Sequence, residues 1–245
     1  MTPLHSPHDQ FWAKRLNTPL TVGLHFSVLD YWDMGDPDTV GFLYSSPDLT
    51  ILDLAPDLLP LLQQTVASMP NARLQCFNQA ISLNPALASY EVDCNDGDYF
   101  RQNCPPLTAP NVPSGYRIEV TTERPALLDA FLEQQPEADQ LSAGLDDEFD
   151  RYYSVYRDQA LVACLGTFQG RSSYFVSLAM LVDQHERRQG LAKYVLQQAV
   201  HEIEANNGTL CYRVNVDNAA SIAVCRSLGF SLTNQVQTLS IKHSE

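Results

Sequence analysis

The sequence predicts a mixed α/β fold of the α+β kind, a mostly antiparallel, twisted sheet flanked by helices. Three observations predict it. Between 151 and 182 the apolar runs RYYSVYR, ALVACLGTF and SSYFVSLAMLV follow one another with only short polar turns between them, the pattern of an antiparallel meander. Immediately afterwards Ala192, Val195, Leu196, Ala199 and Ile203 recur at helical spacing, so 190–205 reads as a helix with one buried face. Upstream, the stretch RQNCPPLTAPNVPSG (101–115) carries four prolines. Proline fixes φ and removes a backbone donor, so this run reads as an irregular connection between two domains, 1–110 and 111–245.

The remaining elements follow in chain order. Residues 8–17 suit a helix, and the apolar segments 20–31 and 40–54 have strand composition. PDLLPLLQQTVASM (56–69) is amphipathic and opens on Pro56, a residue favoured in a first helical turn. ARLQCFNQAISL (72–83) reads as a strand. In the second half YRIEV (116–120) is a strand and PALLDAFLEQQ (125–135) a helix. After the 190–205 helix come a strand, LCYRVNV (210–216), and a helix, NAASIAVCRSL (218–228), which Gly229 can end. Two strands, FSLTN and VQTLSIK, are expected to close the sheet. The expected order from 116 onward is thus β-α-β-β-β-α-β-α-β-β.

Composition removes several classes of function. With 15 basic and 29 acidic residues the net charge is −14, which opposes binding to a nucleic-acid backbone. No run reaches the roughly 18 apolar residues of a membrane span. The start, MTPLHSPHDQFWAKRLN, lacks the basic-then-apolar layout of a secretion signal, so a cytoplasmic protein is expected. The six cysteines show no CxxC pair and no histidine at metal-ligand spacing, and no metal site is expected. Oligomeric state is not legible, and a homodimer is compatible with the sequence.

The chemistry concentrates in VDQHERRQGLA (182–192), where a strand gives way to a charged loop and then to a helix. The first N–H groups of a helix have no intrahelical partners and the helix dipole is positive there, so this end suits a pyrophosphate. Gly190 permits close backbone approach and Ala192 keeps the first turn small, while Arg187, Arg188 and Lys193 add positive charge. Taken alone this is equally the signature of an ordinary strand–loop–helix junction with solvated charges.

A second motif downstream changes the balance. The strand at Val182 followed by Arg187-x-x-Gly190-Leu191-Ala192 resembles the central motif of the Gcn5-related N-acetyltransferases, Arg/Gln-x-x-Gly-x-Gly/Ala. About 25 residues on, Asn218, Ser221, Val224, Leu228, Gly229 and Phe230 fill that family's next pattern, Asn-x-x-Ala/Ser-x-x-aliphatic-Tyr-x-x-Leu-Gly-Phe. The resemblance covers 116–245 and implies an acyl-CoA N-acyltransferase fold. It further implies transfer of an acetyl group from acetyl-CoA to an amine of a small molecule or peptide. Met180, Leu181, Val182, Arg187, Arg188, Gln189, Gly190, Leu191, Ala192, Asn218 and Ser221 are the residues it places at the cofactor. A backbone N–H of the strand around Met180 to Val182 is expected to stabilise the thioester oxygen.

One position departs from the pattern: Cys225 stands where many members have a tyrosine held to protonate the departing thiolate. A thiol at Cys225 can donate a proton, or the residue can simply be a buried apolar side chain. For the proton that the amine must lose, Asp146, Asp147, Glu148 and Asp150 in GLDDEFD are the candidates, with Glu148 chosen as the catalytic base; a solvated acidic loop is the plain alternative. Tyr174 and Ser177 are candidates for a water-mediated relay. His185, Trp12 and Trp32 are read as an exposed loop residue and two packing residues. The first half reads either as a diverged copy of the same fold or as a lid. The rival functional reading is a CoA-binding or interaction protein that keeps the scaffold without catalysis.

Overall fold

The computed structural model describes residues 2–28, 38–69, 74–169 and 175–242. Its elements run α1 (Pro7–Arg15), β1 (Gly23–Val28), β2 (Thr39–Ser45), β3 (Leu49–Leu54), α2 (Leu59–Ala67), α3 (Phe77–Leu83) and β4 (Tyr90–Phe100). There follow β5 (Tyr116–Thr121), α4 (Leu128–Glu133), α5 (Glu137–Ala143), β6 (Arg151–Arg157), β7 (Ala160–Phe168) and β8 (Ser177–Val182). The chain ends with α6 (Leu191–Ala205), β9 (Tyr212–Asn215), α7 (Ala219–Arg226) and β10 (Ser231–Ile241). Trp32 and Tyr174 lie outside the described residues. No helix among the described residues is long and apolar enough to cross a membrane.

Two compact units emerge. The first takes 1–98, 214–217 and 232–245, the second 99–213 and 218–231, so the division falls inside β4, β9 and β10. A six-stranded sheet in the order β1-β3-β2-β10-β4-β9 carries the first unit, and a four-stranded sheet in the order β5-β6-β7-β8 the second.

In the first unit β2 and β3 form an antiparallel hairpin while β1 runs parallel to β3. The segment 72–83, expected as a strand, instead holds α3. Phe77 and Ala80 recur at three-residue spacing and are fully buried with Leu62 and Val66 of α2, and the amide of Phe77 donates to Gln237 Oε1 at 2.8 Å. Burial of one helical face outweighed the strand-like composition. The two closing strands are a single one, β10, because Asn234 at the expected break is buried and donates to Asp98 Oδ2 at 2.8 Å. The sheet neighbour that a second closing strand would have been is supplied by β4 of the first half. Trp12 is a core residue, its ring centroid 5.2 Å from Phe42 and 5.5 Å from Tyr44.

In the second unit β5 to β8 form the antiparallel meander. The expected 125–135 helix is shorter, α4, and is followed by α5 after Pro136, which cannot supply the amide that a continuous helix would need. One face of the sheet buries Tyr152, Tyr156, Cys164, Ala179 and Leu181 with Leu128, Phe131 and Leu132 of α4. Helix α6 packs on β6, β7 and β8 through its apolar stripe. The proline-rich stretch after β4 runs along α6: Leu107 donates to Glu204 Oε2 at 3.0 Å, and Gln197 Nε2 donates to Thr108 O at 3.0 Å.

Candidate functional site

Strand β8, the loop after it and the first turn of α6 form one continuous surface. β8 is the edge of its sheet. At its start Val176 forms a parallel bridge with Leu210, the Val176 amide donating to Thr209 O and its carbonyl accepting from Cys211, both at 2.8 Å. Past that bridge, among the described residues, β8 pairs only with β7. The Asp183 amide donates to Val162 O at 2.9 Å. Because successive residues of an antiparallel ladder alternate in direction, the amides of Leu181 and Ala179 are likewise spent on β7. Those of Leu178, Met180 and Val182 turn to the open edge. Leu181 was expected with Met180 and Val182, yet its amide faces β7 and its side chain is buried against α4. Periodicity two explains the split: neighbours on a strand cannot both face one edge.

The loop is stapled at several points. Asp183 Oδ1 accepts the His185 amide at 2.7 Å and its Oδ2 accepts from Gln135 Nε2 at 3.0 Å. Glu186 accepts from Tyr116 Oη and Arg157 Nη1, each at 2.7 Å, and these two donors hold its carboxyl below the ordinary glutamate range. Arg187 donates to Asp139 Oδ2 at 2.7 Å and to Val182 O at 3.3 Å. Arg188 and Gly190 both take left-handed backbone, φ 64° and φ 80°. Gly190 is the N-cap of α6 and offers no side chain to its orphan amides, the first intrahelical bond running from Tyr194 to Gly190 O at 2.9 Å. The amides of Leu191, Ala192 and Lys193 therefore point out of the helix end with its positive dipole. Gln189, Arg188 and Lys193 are exposed beside them, and Leu191 keeps its side chain in the core. His185 is exposed.

Helix α7 brings Asn218 and Ser221 together, Asn218 Oδ1 capping the helix by accepting the Ser221 amide at 3.0 Å. Cys225 is fully buried. Its thiol donates to Ile222 O at 3.2 Å, and burial pushes its pKa up to about 11. Tyr212, buried on β9, is pushed up to about 12 for the same reason. Neither group ionises near neutrality.

The acidic loop 144–150 lies at the other end of the sheet. β6 begins at Arg151 opposite Thr167 of β7, and Thr167 faces Leu178 of β8. Six residues of strand, roughly 20 Å, therefore run from this end of β8 to the stapled loop. Glu148 is exposed, as are Asp146, Asp147 and Asp150. Asp150 lines a cleft of about 300 Å³ with Arg151, Tyr153, Thr167 and Glu202. Ser177 begins β8 and is half-buried.

Residues 116–230 match the model of the Acetyltransferase (GNAT) family. This stretch is a GNAT acetyltransferase domain. The whole chain is also similar to a solved GNAT-family acetyltransferase from Colwellia psychrerythraea, at 16% identity, with 98% of each chain covered and a TM-score of 0.52. A GCN5-related N-acetyltransferase from Kribbella flavida is 17% identical over 66% of each chain, with a TM-score of 0.47. The ribosomal-protein-S18-alanine N-acetyltransferase of Escherichia coli is 20% identical, with a TM-score of 0.38, over 53% of this chain and 97% of its own. At 16% identity the likeness to the Colwellia psychrerythraea protein is one of fold. No curated protein matches the sequence. In the GNAT domain sequence reasoning missed Glu186, Asp139 and Tyr116, because a carboxylate and its donors 29 to 70 positions apart leave no local pattern.

Proposed function

We propose that the region 111–245 is an N-acyltransferase that binds acetyl-CoA and passes its acetyl group to an amine of a small molecule or peptide. The observation that carries this reading is the alignment of two donor sets on one stretch of chain. The outward amides of Leu178, Met180 and Val182 lead directly to the open amides of Leu191, Ala192 and Lys193. Such a track suits a ligand with an amide-bearing arm and a pyrophosphate at one end. Arg188, Gln189, Gly190, Asn218 and Ser221 complete the donor surface in this reading, with Arg187 acting through its bonds to Asp139 and Val182.

The chemistry is direct attack. The neutral amine nitrogen bonds to the thioester carbonyl carbon, and negative charge gathers on the oxygen, where an edge amide such as that of Met180 stabilises it. The C–S bond then breaks, CoA leaves as its thiolate, and the nitrogen loses its surplus proton. Glu148 is the proposed acceptor of that proton; the Glu148→Gln variant should lower turnover while leaving CoA affinity intact. The decisive measurement is binding followed by release of free thiol from acetyl-CoA across a panel of amines. CoA at about 100 times its dissociation constant should add roughly 2.7 kcal/mol to stability. Absence of both a thermal shift and a calorimetric signal would sink the reading.

A second reading, a CoA-binding protein without catalysis, draws on Cys225. A thiol bonded to its own helix with a pKa of about 11 is a poor substitute for an accessible acid. Binding without thiol release for any amine would favour it.

A further inference from the structure

The loop between β8 and α6 is anchored to strands other than the one it leaves. β8 is one edge of the four-stranded sheet and β5 the other, with β6 and β7 between. Yet the 3-10 turn Gln184–Glu186 ends with Glu186 bonded to Tyr116, the first residue of β5, and to Arg157, the last of β6. Neighbouring strands lie roughly 4.8 Å apart, so the long side chains of Tyr116 and Arg157 and the turn together bridge on the order of 10 Å of sheet end. It then turns back through Arg188 and Gly190, both with positive φ, into α6. The Glu186 side chain is only 13% exposed, and both its oxygens are occupied. Glu186, four residues before the N-cap of α6, thus holds the point where the chain reverses together with Arg187, which bonds to Asp139 and Val182 O.

On the reading that the first turn of α6 takes the pyrophosphate of an acyl-CoA, we propose that Glu186 is a positioning residue for the donor. Clamped by Tyr116 and Arg157, it sets the path of 187–190 and so the direction in which the amides of 191–193 point. It touches no reacting atom in this role.

The sign of its effect separates this role from plain electrostatics. A carboxylate near a pyrophosphate repels it, so by Coulomb's law alone removing Glu186 should tighten CoA binding. Positioning predicts the opposite. Calorimetric titration of CoA into the full chain, wild type against Glu186→Ala, should show an affinity loss of about tenfold, the scale of a misplaced contact group. Tyr116→Phe changes no charge and keeps the ring on β5, and it should weaken CoA by a smaller factor, about threefold, in the same direction. Where turnover is measurable, KM for acetyl-CoA should rise by these factors with kcat unchanged, a split that general loss of folded protein would not produce. Equal or tighter binding in Tyr116→Phe and in a folded Glu186→Ala overturns the proposal. If Glu186→Ala fails to fold, Tyr116→Phe decides by itself. Wild type that does not bind CoA at all overturns the functional reading instead.

Discussion

The ring of Phe149 fills the space that a Cβ on Gly166 would need. A Cβ placed on Gly166 would stand 2.6 Å from Phe149 Cδ2 and 2.7 Å from Cδ1, closer than any real pair of such atoms. Gly166 stands two residues before the end of β7, and Phe149 follows Glu148 in the acidic loop. Its amide donates to Tyr152 Oη at 3.0 Å, which leaves the loop little room to retreat. The absence of one side chain on a central strand therefore seats the segment that carries the proposed base.

From this contact we predict that Gly166→Ala destabilises the protein by about 1–3 kcal/mol, the usual cost of overpacking. Chemical denaturation is the measurement. The loss should shrink when Phe149→Leu is combined with it, since the ring is what the new methyl meets. Additive losses in the double variant would mean that the two positions do not share the strain.

Gly190→Glu should weaken CoA binding by about tenfold or more, because a carboxylate would enter the space that the pyrophosphate needs. A Cβ at Gly190 meets nothing within 4 Å, so the fold pays only for the left-handed backbone, about 1–2 kcal/mol. Titration calorimetry beside a thermal melt separates the two effects. An unchanged CoA affinity would put the phosphate site elsewhere.

Cys225 makes a prediction in two parts. With a pKa of about 11 only about a thousandth of its thiol is ionised at pH 8, and it is fully buried. A maleimide at pH 8 should label exposed Cys104 and spare Cys225 until the protein unfolds; rapid labelling of Cys225 in the native protein would contradict the burial. The pH sign follows from the raised pKa: the native state holds this proton more tightly than the unfolded chain. Its contribution to stability is intact below pH 9 and is lost as pH rises toward about 11.

Cys225→Ala should then lower any turnover by less than about tenfold, because a positioned acid that mattered would show 10²–10⁴-fold. Thiol release at saturating donor is the assay. A hundredfold fall, with CoA affinity and Tm unchanged, would establish the thiol as the acid.

Much of the second unit was legible because its signals are short in range. The alternation of 151–168, the helical stripe from Ala192 to Ile203 and the glycine before it each occupy one stretch of chain. The orphan amides of α6 follow from the helix itself. Motif spacing carried the assignment of 116–230 for the same reason. Cys225 was readable as an exception to a pattern, and of the two readings offered for it the structure has the buried one.

What the sequence determined by itself was therefore local: the meander, the loop–helix junction at Gly190 and the helix after Asn218. What only the tertiary structure decided depends on partners distant in the chain. Composition favoured a strand at 72–83, and packing against α2 made part of it α3. Two closing strands were expected, and the place of the second is taken by β4, more than 130 positions upstream of β10. Which amides of β8 face outward was settled by its register with β7, and which carboxylate pins the loop by the meeting of Glu186 with Tyr116 and Arg157. Backbone preference and periodicity act over a few residues, whereas strand pairing, burial and ion pairing are chosen among all the surfaces the chain brings together.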